Sequence, residues 1–253
     1  MRDPEFEPAE TEPAAEPAPK REPAFNLPGS LVAMLVVLAS IQALRSYVLP
    51  VDMDEYLLLT FSFIPARYTP DLMAADPAWI WSPVTYSLLH GGWEHLIFNG
   101  FWMVAFGAPV VRRIGTLRFL AFWVLSAVAS VALHAAFHWG AMIVLVGASG
   151  VVSGLMGAAA RFVFSPSGRI SRQFAHLNRR LSIGEALSNR SVLVFSAIWF
   201  LTNFLIGFGQ LFGNVAGGTI AWEAHIGGFL FGFLCFPLFD RSPEALRDAP
   251  RGY

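Results

Sequence analysis

Residues 117–137 read LRFLAFWVLSAVASVALHAAF, and Arg118 is the one formally charged side chain among them. A helix rises 1.5 Å per residue, so about 20 apolar residues cross the ~30 Å hydrocarbon core of a bilayer. This stretch has the length and polarity of a membrane-crossing helix. Five comparable apolar stretches flank it: 27–49 and 93–111 before it, then 141–164, 192–208 and 221–239. Backbone groups in lipid find no water, so each span is expected to close its own hydrogen bonds as helix. The predicted fold class is all-α, a polytopic membrane bundle of six transmembrane helices over residues 27–240.

Composition agrees with that reading. Of 253 residues, 55% are hydrophobic and 14% charged, against roughly 25% charged in an average globular chain. The mean hydropathy is +0.53. So few charges could not cover a soluble protein of this size. The net charge of −1 gives no pointer to nucleic acid, and none is expected as a partner. Cys235 is the single cysteine, which excludes an internal disulfide framework and a Cys-rich zinc site.

The ends differ from the middle. Residues 1–26 are rich in proline and acidic side chains and cannot bury a core, so a disordered tail is expected there. Residues 241–253 read as a short polar tail. The connection 50–80 holds Pro50, Pro65, Pro70 and Pro77 around the short apolar run 56–64, and reads as a partly embedded loop at the bilayer surface. With the N-terminus in the cytoplasm, all of the 17 basic residues except Arg45 and Arg67 fall on the cytoplasmic side. The positive-inside rule therefore places both termini inside. The arginine-rich stretch 165–190 reads as a cytoplasmic retention signal. Lys20 is the only lysine, which suggests a GC-rich genome and an inner (plasma) membrane of a bacterium.

Polar residues inside spans are costly and mark functional candidates. His90, His95 and Asn99 stand at the entrance to the second span, Ser149 near the start of the fourth, and His225 near the start of the sixth. Those three spans run in the same direction, so these polar groups are expected to meet at one outer face. A serine hydroxyl next to a neutral histidine can act as a nucleophile with its base. The tetrahedral oxyanion then needs donors. His95 and Asn99, four residues apart, share a helix face and can both donate. The amides around Ser149, that of Ala148 among them, sit where a helix begins and are free to donate. Gly150, Gly154 and Gly157 line one side of the fourth span, and Gly228 and Gly232 form a Gly-x-x-x-Gly in the sixth. Such spacing lets two backbones approach closely in lipid. Glu223 is about 200° around the helix from His225, so a Ser–His dyad is expected rather than a triad with a carboxylate.

Taken together, His90, His95 and Asn99, then Gly147-Ala148-Ser149-Gly150, then Ala224-His225-Ile226-Gly227-Gly228 resemble the motifs of the rhomboid intramembrane serine proteases. The resemblance covers roughly residues 27–240. It implies Ser149 as nucleophile and His225 as general base. It implies His95, Asn99 and the amides near Ser149 as oxyanion donors, and His90, Gly147, Gly150, Gly228 and Gly232 as supports of the site. Transmembrane protein substrates and the lipid bilayer are the implied partners, and no metal or other cofactor is implied. Two positions depart from the family's habit. Ser153 stands where an aromatic often stacks on the base, so another ring orients His225 or it is held more loosely. Trp81-Ser82 stands where Trp-Arg is common, which leaves loop anchoring open.

Two other readings compete. A non-catalytic rhomboid-like protein that binds membrane clients would need neither Ser149 nor His225. A solute or metal transporter could use His90, His95 and His225, but the spans show no inverted repeat of motifs. His134 and His138, also four apart, look like a metal pair; without a third ligand in the neighbouring sequence an interfacial role is expected for them.

Overall fold

The computed structural model describes residues 27–166, 174–209 and 221–240. The expected tails 1–26 and 241–253 lie outside the described residues, as do Arg169 and Arg172 of the arginine-rich stretch. Helix α1 (Gly29–Tyr47) follows Pro28, and α2 (Val51–Phe61) follows Pro50. Two short helices, α3 (Pro70–Ala75) and α4 (Ser82–Thr85), complete the long connection, each with proline in its first turn, where no backbone N–H is needed. The second apolar stretch holds α5 (Trp93–Trp102), a π-helical segment Met103–Gly107, and α6 (Ala108–Ile114), end to end. Pro109 lies in the first turn of α6. It cannot donate to the carbonyl four residues back, and the π segment just before it absorbs that missing bond. Gly115, at φ 77°, ends this rod and starts α7 (Thr116–Phe137). Then come α8 (Ser149–Ala160), α9 (Ile183–Ser188), α10 (Arg190–Gly209) and α11 (Trp222–Cys235). Each of the six apolar stretches thus carries a helix, and the architecture is the all-α polytopic bundle.

The fourth stretch differs from expectation. Residues 141–148 are not helical, and α8 begins only at Ser149. The carbonyl of Leu145 accepts from Phe63 N at 3.0 Å and its own N–H donates back to Phe63 O at 2.9 Å. Ala66 N donates to Ala141 O, and Gly147 N to Tyr86 O, both at 3.0 Å. The long connection thus satisfies backbone groups that a helix would otherwise satisfy, which permits irregular chain at membrane depth. Gly147 has φ +125°, a conformation that side chains other than glycine's rarely adopt, so the helix cannot propagate back past Ser149. With twelve residues, α8 is about 18 Å long.

Every residue of α8 from Gly150 to Ala160 is buried, so this helix forms the centre of the bundle. The outer helices leave Val36, Ile97, Phe98, Ile198 and Leu201 more than half exposed, as side chains that meet lipid do. α8 meets α11 through glycine. A Cβ on Gly228 would collide with the carbonyl of Gly150, and one on Gly232 with that of Gly154. A Cβ on Gly157 would strike Phe229 O. On another face of α11, a Cβ on Gly227 would come within 2.8 Å of Ala129 O in α7. α11 is therefore wedged between α7 and α8 at backbone contact, as the small-residue spacing predicts.

Several arginines are structural rather than solvated. Arg113 and Arg180 converge on the buried carboxylate of Asp240 at 3.0 and 2.9 Å. Arg161, fully buried, donates to the carbonyls of Leu181 and Phe233. On the long connection, Arg67 binds Asp76 at 2.6 Å and the carbonyls of Ser62 and Leu59. Trp81 Nε1 donates to Thr60 O at 3.0 Å. These bonds anchor the loop that the sequence left without an evident anchor.

Candidate active site

Ser149 is the first residue of α8 and His225 lies in the first turn of α11. The close α8–α11 contact brings them together: Ser149 Oγ lies 2.8 Å from His225 Nε2. On its other side, His225 Nδ1 lies 2.6 Å from Asn203 Oδ1. An amide oxygen can only accept, so this contact requires the proton on Nδ1. The lone pair of neutral His225 is then left on Nε2, facing the serine hydroxyl. One short chain of bonds thus sets the tautomer a general base requires.

Asn203 is the residue of this arrangement that sequence reasoning missed. It lies in α10, within the apolar run 192–208. The rule that singled out Ser149, a polar group inside a span, applies to it equally. The group that meets the second nitrogen of His225 is therefore an amide, where the sequence reading offered either another ring or a looser hold. Ser153 does not turn to the site; its hydroxyl donates to Ser149 O at 2.8 Å, one turn back along the helix.

The other candidates gather around the same helix start. Asn99 is buried, and its Nδ2 has no hydrogen-bond partner among the described residues. Leaving a buried amide donor unpaired costs roughly 1–3 kcal/mol, so it marks a position that a ligand oxygen could fill. His95, one turn earlier on α5, lies against the backbone of Gly147. A Cβ there would come within 2.6 Å of its ring. His95 Nδ1 accepts from Gly91 N at 3.5 Å. His90 and His95 meet edge to face at 5.1 Å between ring centres.

His90 is buried and tied at both ends. Its carbonyl accepts from Arg45 at 2.8 Å, and its Nε2 accepts from Ala148 N at 3.4 Å. Burial foremost, with His95 and Arg45 adding to it, pushes its pKa down to about 3 and holds the ring neutral. The Ala148 amide is thus directed at His90 in this structure, whereas the sequence assigned it to an oxyanion. That leaves Asn99, His95 and the free amides of the α8 first turn as the donors on hand.

Glu223 turns away from His225, as the helix angle predicts. It lies 2.9 Å from His138 Nε2 and 3.6 Å from His134 Nδ1, both at the end of α7. The third polar partner that sequence proximity did not supply to this histidine pair comes from α11.

Comparison with known proteins places these features in context. A family model for the Rhomboid domain matches residues 77–241. The chain is 27% identical over 207 residues to the rhomboid protease GlpG of Yersinia pestis (strain Pestoides F), covering 77% of this chain and 64% of that protein. The GlpG of Yersinia pseudotuberculosis serotype O:3 (strain YPIII) is similar to the same extent. That of Pectobacterium atrosepticum is 28% identical over 156 residues, or 61% of this chain and 47% of that protein. The chain thus spans less than two thirds of the length of these relatives.

Proposed function

We propose, from the premise that this chain belongs to the rhomboid family of integral membrane proteins, that it is an intramembrane serine endopeptidase. It cuts transmembrane segments of membrane-protein substrates near the outer face. The observation that carries this reading is the 2.8 Å contact between Ser149 Oγ and His225 Nε2, with Asn203 on the far nitrogen.

The chemistry follows from the bonds. As Ser149 Oγ attacks the scissile carbonyl carbon, its proton passes to His225 Nε2. The carbonyl π electrons move onto oxygen, and Asn99 Nδ2, His95 and the first-turn amides of α8 donate to that oxyanion. Collapse expels the amine, which takes the proton from His225. Water then attacks the acyl-serine, giving its proton to His225, and the serine regains a proton as the acid leaves. Asn203 accepts from Nδ1 throughout and stabilises the ring while it is charged. His90 holds the outer loop and the Ala148 turn in place.

Peptide carbonyls inside a helix are already bonded, so a substrate must locally unwind to be cut. Segments with helix-weakening residues near the outer boundary fit that demand. The distribution of basic residues supports an orientation with both termini in the cytoplasm, in a bacterial inner membrane. On this reading residues 27–240 form the membrane domain, flanked by polar tails.

A fluorophosphonate probe tests the proposal in the purified protein. Labelling is expected on Ser149 and is expected to vanish in His225→Ala. A folded protein that the probe leaves unlabelled would favour the non-catalytic, client-binding reading instead.

A further inference from the structure

We propose that His134, His138 and Glu223 form a site for one zinc-class divalent cation, separate from the Ser149–His225 pair. His134 lies in the last turn of α7 and His138 is the residue that ends it, and Glu223 reaches them from the first turn of α11. Each offers one ligand atom, and these three atoms all lie within 4.8 Å of one another. The two contacts to the carboxylate are 2.9 and 3.6 Å. Ligand atoms around a tetrahedral zinc, with bonds of roughly 2.0–2.1 Å, are about 3.3 Å apart. The two histidine–carboxylate separations, each to its own oxygen of Glu223, lie on either side of that value, and the widest separation in the set is no more than 4.8 Å, so a cation has to draw the three groups together by about an ångström or more.

A second observation distinguishes this cluster from an ordinary polar contact between helices. His134 is 2% exposed, and neither of its ring nitrogens has a hydrogen-bond partner among the described residues. At 3.6 Å, Glu223 is too far to be one. A buried imidazole with both nitrogens unpaired is costly unless something else engages it. It sits where two other metal-ligating groups converge. His138 remains one-third exposed at the helix end, which gives a cation an entry path and leaves room for a water as fourth ligand. Two imidazoles and one carboxylate suit zinc better than the all-oxygen sites of magnesium or calcium. Because Glu223 and His225 share the first turn of α11 and point about 200° apart, the cation would tie the base-bearing end of α11 to α7 without touching the reacting atoms.

The test uses the full chain purified in detergent without a polyhistidine tag. Zinc titration of the metal-stripped protein is expected to show one ion per chain and a raised unfolding temperature. His134→Ala, His138→Ala and Glu223→Gln are each expected to weaken binding by more than the roughly 10–100-fold that changes outside a ligand shell cause. A His95→Ala/His225→Ala double variant is expected to bind zinc as the wild type does. Absence of stoichiometric binding, or binding that survives all three ligand substitutions, would overturn the proposal. Cobalt loading of the wild type gives a readout that no misfolded variant can obscure. Intense visible bands of a four-coordinate ion are expected, and only the faint bands of hydrated cobalt would count against the site.

Discussion

Replacing Asn203 with alanine removes the acceptor on the far side of His225 and nothing else in the reacting set. In the resting site the lost bond is one between neutral groups, worth about 0.5–1.5 kcal/mol. In the transition state His225 carries the serine proton, and the same 2.6 Å contact becomes a charge-assisted bond worth about 1.5–3 kcal/mol. The difference, about 1–2 kcal/mol, is stabilisation that exists only in the transition state. At 1.36 kcal/mol per tenfold it predicts a fall in kcat of about 5–30-fold. KM should stay unchanged, because the substrate gains nothing from Asn203 before proton transfer. The assay is turnover of a fluorogenic transmembrane substrate in proteoliposomes, with thermal unfolding as a control for packing. Asn203→Asp keeps an acceptor oxygen in the same place and should retain more activity than the alanine variant. Wild-type kcat in Asn203→Ala, or a change confined to KM, would show that His225 is oriented by something else.

The remaining predictions concern packing, the oxyanion and the capping of α9. Gly232→Val should destabilise the bundle by about 3 kcal/mol, since its side chain would drive α11 off the Gly154 carbonyl; a lowered unfolding temperature in detergent would report it. Asn99→Ala should lower kcat by less than Ser149→Ala does, because His95 and the α8 amides still face the oxyanion; steady-state turnover of the two variants compares them. Glu185 caps α9 through Ser182 and binds Arg179. The Arg179 bond first, then the Ser182 amide, lower its pKa from 4.5 to about 2. A depressed carboxylate stabilises at pH above its unfolded value, and that contribution drains away as pH falls from about 4.5 through about 2. The protection of the α9 amides, relative to their intrinsic exchange rates, should therefore fall over that window in the wild type and lose this dependence in Glu185→Gln.

Much of this architecture was legible because the bilayer leaves few solutions. Apolar stretches near 20 residues located the helices, and the glycines of the fourth and sixth stretches foretold the α8–α11 contact that joins Ser149 to His225. What hydropathy could not register is that 141–148 is apolar yet not helical. Its backbone partners, Phe63, Ala66 and Tyr86, are 60 or more residues away, and hydropathy is blind to pairing. Asn203 was hidden for a related reason: a single amide in an apolar run acquires a meaning only when α10 is seen beside α11. In the sequence Glu223 stands beside His225, while its spatial partners lie at the end of α7. In the sequence, the arginines between 161 and 180 read as charge on one side of a membrane. Burial turned Arg161 and Arg180 into bonds that hold helix ends.

The most direct test of the central claim is cleavage of a model transmembrane substrate by the purified chain in liposomes, with Ser149→Ala alongside. The wild type should cut the substrate near its outer boundary, and the folded, membrane-inserted Ser149→Ala protein should leave it intact. Equal cleavage by both proteins, or none by a folded wild type on substrates with weakened outer helix ends, would contradict the account.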